Sequence, residues 1–132
     1  MNNDHMKELY DALTAHEIAR IADAIDAGGA TWDENLEPIT HKTGYMVALP
    51  KYSIKRNKYD IVGIVETVNR LAETIARDLL PGVNFVGLWV DGDTVYLDIS
   101  LRETRRDIAV AMGKSFDQKA IYDLEHEKSI WV

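Results

Sequence analysis

Residues 85–100 read FVGLWVDGDTVYLDIS, and the fold turns on whether Asp91-Gly92-Asp93 within this run is a carboxylate cluster or a turn. On the N-terminal side Val86, Leu88 and Val90 alternate with Gly87 and Trp89. On the C-terminal side Val95, Leu97, Ile99 and Leu101 alternate with Tyr96, Asp98 and Ser100. Period-two alternation of this kind marks two half-buried strands. For both apolar sets to share a face, the numbers of paired residues must sum to an odd total. A two- or four-residue loop satisfies that condition, and a three-residue loop does not. Asp-Gly and Gly-Asp are the pairs that a tight hairpin turn demands. The run is therefore expected to be a β-hairpin; in one register Trp89 faces Tyr96 and Gly87 lies beside Asp98, on the side away from the Val/Leu/Ile set.

Downstream, Thr104 and Asp107 open a helix in capping-box fashion; it carries Ile108, Ala111 and Met112 inward, and Gly113 marks its end. KAIYDL (119–124) and SIWV (129–132) then form a closing strand pair across EHEK (125–128). Upstream, Asp60 caps a helix with the stripe Ile61, Ile64, Val65, Val68, Leu71, Ala72, Ile75 and Leu79, ended by Leu80-Pro81-Gly82. GYMVAL (44–49) is a short strand closed by Pro50. Residues 30–42 read as loop, and PKYSIKRNKY (50–59) reads as a basic connection with Tyr52 and Tyr59 interleaved. Thr14 and Glu17 form a second capping box, with Leu13 and Ile18 as its staple. A first helix is thus expected from about Ala15 to Ala27, stopped by Gly28-Gly29, with a separate turn over Lys7–Ala12 and residues 1–6 frayed.

The order α, β, α, β, β, α, β, β contains βαββαβ. It predicts a single α+β domain over residues 1–132: an antiparallel sheet of ferredoxin-like or related order, preceded by an N-terminal helix and ending in an extra strand. The hydrophobic fraction of 46% and charged fraction of 28% are globular values. Cysteine is absent, which excludes disulfides and thiolate metal sites and fits a reducing cytoplasm. No apolar run approaches the roughly 18 residues that a membrane span needs, so no membrane association is expected.

The chemistry of DGD needs weighing. An apolar strand ending in Asp-x-Asp resembles the nucleophile motif of haloacid dehalogenase-like phosphatases. Those enzymes require a parallel sheet with helical crossovers and further catalytic groups far downstream, whereas only residues 95–132 follow Thr94 and the next strand pairs directly. A calcium loop lacks its alternating acids and late glutamate. His5, His16, His41 and His126 show no i,i+4 pairing. No nucleophile elbow or glycine-rich phosphate loop occurs. The residues therefore assign no catalytic group, metal or cofactor.

Binding is the remaining expectation, and three sets of residues are candidates. Trp89 and Tyr96, with Asp98, form a contact patch if helices cover only one face of the sheet; if the first helix covers the second face, they are core. The net charge of −7 is uneven: residues 1–40 hold nine acids against Lys7 and Arg20. Among them Asp26, Asp33, Glu34 and Glu37 are expected to form a contact surface for a basic partner. Lys51, Lys55, Arg56 and Lys58 lie in a stretch, 41–59, that holds no acid, and they are the anion-binding candidates. The acidic remainder argues against direct nucleic-acid binding.

The stretch VGLWVDGDTVYLDISLRETRRDIAVAMGKSFDQKAIYDL (86–124) resembles small proteins of unassigned role encoded by bacteriophages and prophages, many of them actinobacterial. GLWVD, VYLDIS and QKAIYDL carry the likeness, GYMVALP is related, and together they span roughly residues 44–127. The resemblance transfers no active site. It implies a context, because compact phage accessory proteins often bind a host protein, and inhibitors of CRISPR–Cas or restriction systems are a prominent group. The expectation is a cytoplasmic, non-enzymatic accessory protein whose partner is a host protein or complex. The alternative is a small-molecule or nucleotide-binding protein, or minor enzyme, using the aromatic sheet face with Asp98 and Arg102. Neither the target nor the oligomeric state follows from the residues.

Overall fold

The hairpin forms as the parity rule requires. The computed structural model describes residues 3–132, and in it β4 (Asn84–Asp91) and β5 (Thr94–Glu103) pair antiparallel with Leu88 opposite Leu97, Trp89 opposite Tyr96 and Gly87 opposite Asp98. Gly92 has φ +60 while Asp93 does not take positive φ, so the two-residue loop is of the II′ kind, with glycine at its first position. DGD is a turn.

Among the described residues, three helices and five further strands stand around this hairpin. They are α1 (Asn3–Ala27), β1 (Gly29–Trp32), β2 (Tyr45–Ala48), β3 (Ile54–Asn57), α2 (Ile61–Asp78), α3 (Arg106–Ser115), β6 (Ala120–Asp123) and β7 (Lys128–Trp131). One antiparallel sheet of seven strands runs β1-β4-β5-β2-β6-β7, and β3 continues the line of β2 along the same edge of β5. Its inner order β4-β5-β2-β6 is the ferredoxin-like arrangement of a βαββαβ chain, with β1 and β7 added at the two edges. Pro50 explains the break between β2 and β3: it has no N–H to donate and opens a single 3-10 turn over Pro50–Tyr52.

Register decides which side the helices take. Val95, Leu97, Ile99 and Leu101 share one face of β5; pairing carries that face to Val47 on β2, and onward to Ile121 and Ile130. Ile64, Val68, Leu71 and Ile75 of α2, with Ile21 and Ala24 of α1, are buried with Val86, Leu88, Val95, Leu97 and Ile99. Ala109 of α3 is buried with Val47 and Ile121. Both clusters lie on the same face, so all three helices cover one side of the sheet.

Several local expectations need correction. α1 is one continuous helix from Asn3, so Thr14 is an interior position and not a cap. Residues 3–27 contain no Gly or Pro, and a change of apolar stripe alone does not break a helix. The frayed segment falls partly on Met1 and Asn2, outside the described residues; the backbone is helical from Asn3. Residues 29–32 are a strand, laid on β4 with Trp32 buried, and residues 54–57 are a strand on β5. α3 has no side-chain cap, buries Ala109 where Ala111 is exposed, and runs past Gly113 to Ser115. Gly113 is an interior contact: a Cβ there would stand 2.9 Å from Ile121 Cγ2, so glycine lets the helix approach β6.

Candidate binding face

The helix-free side of the sheet carries Trp89 and Gly87 from β4, Tyr96, Asp98, Ser100 and Arg102 from β5, Met46 from β2, Lys55 from β3, Tyr122 from β6 and Trp131 from β7. Trp89 and Tyr96 stack across the hairpin, with ring centroids 4.1 Å apart and planes 10° from parallel. On the other side of Tyr96, Lys55 places its ammonium 5.5 Å from the ring centroid. Lysine, tyrosine and tryptophan thus form a ladder across three strands. Trp89 remains 48% exposed, Tyr122 39% and Trp131 77%, large apolar surfaces that no helix covers.

Beside this ladder Asp98 is only 7% exposed. Its Oδ1 accepts a hydrogen bond from Ser100 Oγ at 2.8 Å, and Gly87 makes room for it: a Cβ there would fall 2.7 Å from that oxygen. Burial pushes the Asp98 carboxyl up from 3.8 to about 6, and the Ser100 hydrogen bond opposes the rise without cancelling it. Arg102 does not neutralise it. The Arg102 guanidinium is turned to the β1–β2 connection, where Nε donates to the Thr43 carbonyl at 2.8 Å.

That connection, residues 33–44, crosses the end of the face where β5 finishes. His41 sits edge-on to Phe85, with centroids 5.7 Å apart, beside a cleft of about 150 Å³ lined in part by Asp33, Glu34, Thr40 and Phe85. Asp33 is committed to the loop itself: its Oδ1 accepts from the amides of Asn35 and Glu37 at 2.8 and 3.0 Å. Asp26 lies in the last turn of α1, before β1 begins, whereas Asp33, Glu34 and Glu37 follow β1. A four-residue strand, roughly 13 Å long, separates them. The four acids are not one patch.

The basic stretch is also divided. Strand alternation sends Lys55 to the aromatic face and Arg56 to the other, where Asp60 lies 3.8 Å from its guanidinium. Lys58 pairs with Asp93 at 3.3 Å, and the hydrogen bond to that carboxylate holds the Lys58 ammonium above its ordinary value. Lys51 stands over Tyr52 on the 3-10 turn, 5.6 Å from the ring centroid. Among the candidates, Trp89, Tyr96, Asp98 and Lys55 come together. Tyr122 and Trp131 belong to the same face and were not singled out from the sequence. Their signal was present in the closing strand pair: Ile121 and Ile130 point to the core, so Tyr122 and Trp131 must point away.

Among the described residues no group of three or more His, Cys, Asp and Glu is placed to hold a metal ion, and no helix is long and apolar enough to cross a membrane. No protein-family model matches the chain, and no match was found among curated proteins or solved structures.

Proposed function

We propose that this chain is a phage-type accessory protein that acts by binding a host protein, with the helix-free face of its sheet as the contact surface. One observation carries the reading: three helices share one face, and the other leaves Trp89, Tyr122 and Trp131 in water beside the Trp89–Tyr96 stack. Exposed Trp and Tyr on a rigid sheet are the residue types that dominate binding energy at protein interfaces. The resemblance to phage-encoded proteins supports a cytoplasmic host target, and inhibition of a defence complex such as CRISPR–Cas or a restriction system is the activity it favours. Exposed acids such as Asp26 and Glu37 steer a basic partner to the face and do not form its centre.

A parallel capture from host lysate tests this reading with three baits: the native protein, the Trp89→Ser/Tyr96→Ser variant, and a charge reversal of Asp26, Asp33, Glu34 and Glu37. A stoichiometric partner lost only with the aromatic variant is the expected result. Retention by the aromatic variant, with loss on charge reversal, would move the interface to the acidic segments. Asp98 favours a second reading, because a buried carboxyl titrating near 6 beside stacked rings suits hydrogen bonding to a small polar ligand. Native mass spectrometry of the protein isolated from its host distinguishes the two: a small bound ligand lost in Asp98→Asn would favour this alternative.

A further inference from the structure

The aromatic ladder is capped at one end and bare at the other. Lys55 stands over the outer side of Tyr96, whereas the outer side of Trp89 has no side chain beside it on β1, because its partner there is Gly29. Backbone proximity holds glycine at that position: a Cβ would meet Leu88 O at 2.9 Å and Trp89 Cβ at 3.7 Å. β1 therefore offers nothing to cover the indole, which explains how Trp89 stays half exposed with one ring face already stacked.

An exposed carboxylate stands on the same side of the sheet as this bare ring, and the end of α1, although packed against the other face, lies at the same sheet edge. Asp91 projects from the same side of β4 two residues on, is exposed, and has no ion-pair partner among the described residues, in contrast to Asp93 with Lys58. α1 ends at the same edge, where Gly28 O accepts from Val90 N at 3.1 Å. Its last turn holds Asp26 and no basic residue, so the negative end of the helix dipole is left uncompensated where a cation would ordinarily stand. Together they ask for a cation that is also flat. A guanidinium stacks on an indole while donating in-plane to a carboxylate, which an ammonium does less well.

Resting on the contact-face reading above, we infer that the outer face of Trp89, over Gly29 and beside Asp91, is the docking position for an arginine side chain presented by the protein partner. The guanidinium extends the ladder as its fourth member and pairs with Asp91. A phosphate-bearing partner is disfavoured there by the same acids.

The indole N–H signals of Trp32, Trp89 and Trp131 in isotope-labelled protein, assigned with Trp89→Phe and Trp131→Phe, provide the test. The probes are an Arg-Gly repeat peptide, a Lys-Gly repeat of equal length and charge, and oligothymidylate, all at constant ionic strength. The Arg-Gly peptide should move Trp89 and leave Trp131 in place, bind about threefold or more tighter than Lys-Gly, and weaken several-fold in Asp91→Asn. Equal response to the two peptides, strongest movement at Trp131 or in residues 33–37, movement of Trp89 by oligothymidylate, or no movement at millimolar peptide would overturn it. Acrylamide quenching of the free protein separates the two levels. If Trp89 is open to quencher and Arg-Gly fails, only the arginine inference falls; if Trp89 is as protected as Trp32, the contact-face reading falls with it.

Discussion

Replacing Asp98 by Asn removes a charge that the fold holds at a cost, and the cost is calculable. The Asp98 carboxyl is 7% exposed, accepts one hydrogen bond from Ser100, and titrates near 6 instead of at 3.8. That change is about a hundredfold in proton affinity, or roughly 3 kcal/mol at about 1.4 kcal/mol per tenfold. The sign follows from linkage. Between about pH 4 and pH 6 the folded state keeps a proton that the unfolded chain has released, so stability falls as pH rises through this window. The contribution is fully present below the unfolded value and is lost above about 6. Asn is neutral throughout and keeps an oxygen for Ser100. The stability of Asp98→Asn relative to the native protein should therefore rise by up to about 3 kcal/mol between pH 4 and pH 8. Urea melts of both proteins across that range measure the difference, in which the other carboxylates cancel. A difference that stays flat, or that moves in favour of the native protein as pH rises, would refute the view that Asp98 is buried without a cationic partner.

Three further outcomes follow from packing and capping. Leu97→Ala and Leu71→Ala, at positions 1% and 3% exposed, should each cost about 2–5 kcal/mol in urea melts; losses below about 1 kcal/mol for both would mean the core lies elsewhere. Gly87→Ala should destabilise by about 1–3 kcal/mol because its methyl group meets Asp98 Oδ1, and a double-mutant cycle with Asp98→Gly should recover most of that loss. Asp60→Ala removes the carboxylate that accepts from Gly63 N at 3.1 Å at the start of α2, and should cost about 0.5–2 kcal/mol by the same assay.

The parts of this fold legible in the sequence are those with a long period or a sharp turn. The β4–β5 hairpin followed from alternation plus the Asp-Gly-Asp turn, which left a few registers of one parity and among them the observed one, and the α2 stripe carried its own boundaries from Asp60 to Leu79. GATW over β1 has no such signal, because four residues beside Gly28 become a strand only when β4 supplies the partner. IKRN over β3 does alternate, with Ile54 and Arg56 less exposed than Lys55 and Asn57, but its two cations in four residues are equally those of a solvated loop. The side taken by the helices was beyond local reading. It depends on where α1 packs after a tight turn, and that choice decided whether Trp89 and Tyr96 were core or surface. Tyr122 and Trp131 were opposed to Ile121 and Ile130 by alternation alone, but whether the face they share is bare rests on that same choice.

Hydroxyl-radical footprinting of the free protein tests the helix-free aromatic face most directly. Trp131, Trp89 and Tyr122 should be oxidised readily, while Trp32, 4% exposed, and Phe85, 2% exposed, should be protected, and the pattern should not change with protein concentration. Protection of Trp89 and Tyr122 comparable to that of Trp32 would contradict the account, because the face would then be covered and unavailable to a partner.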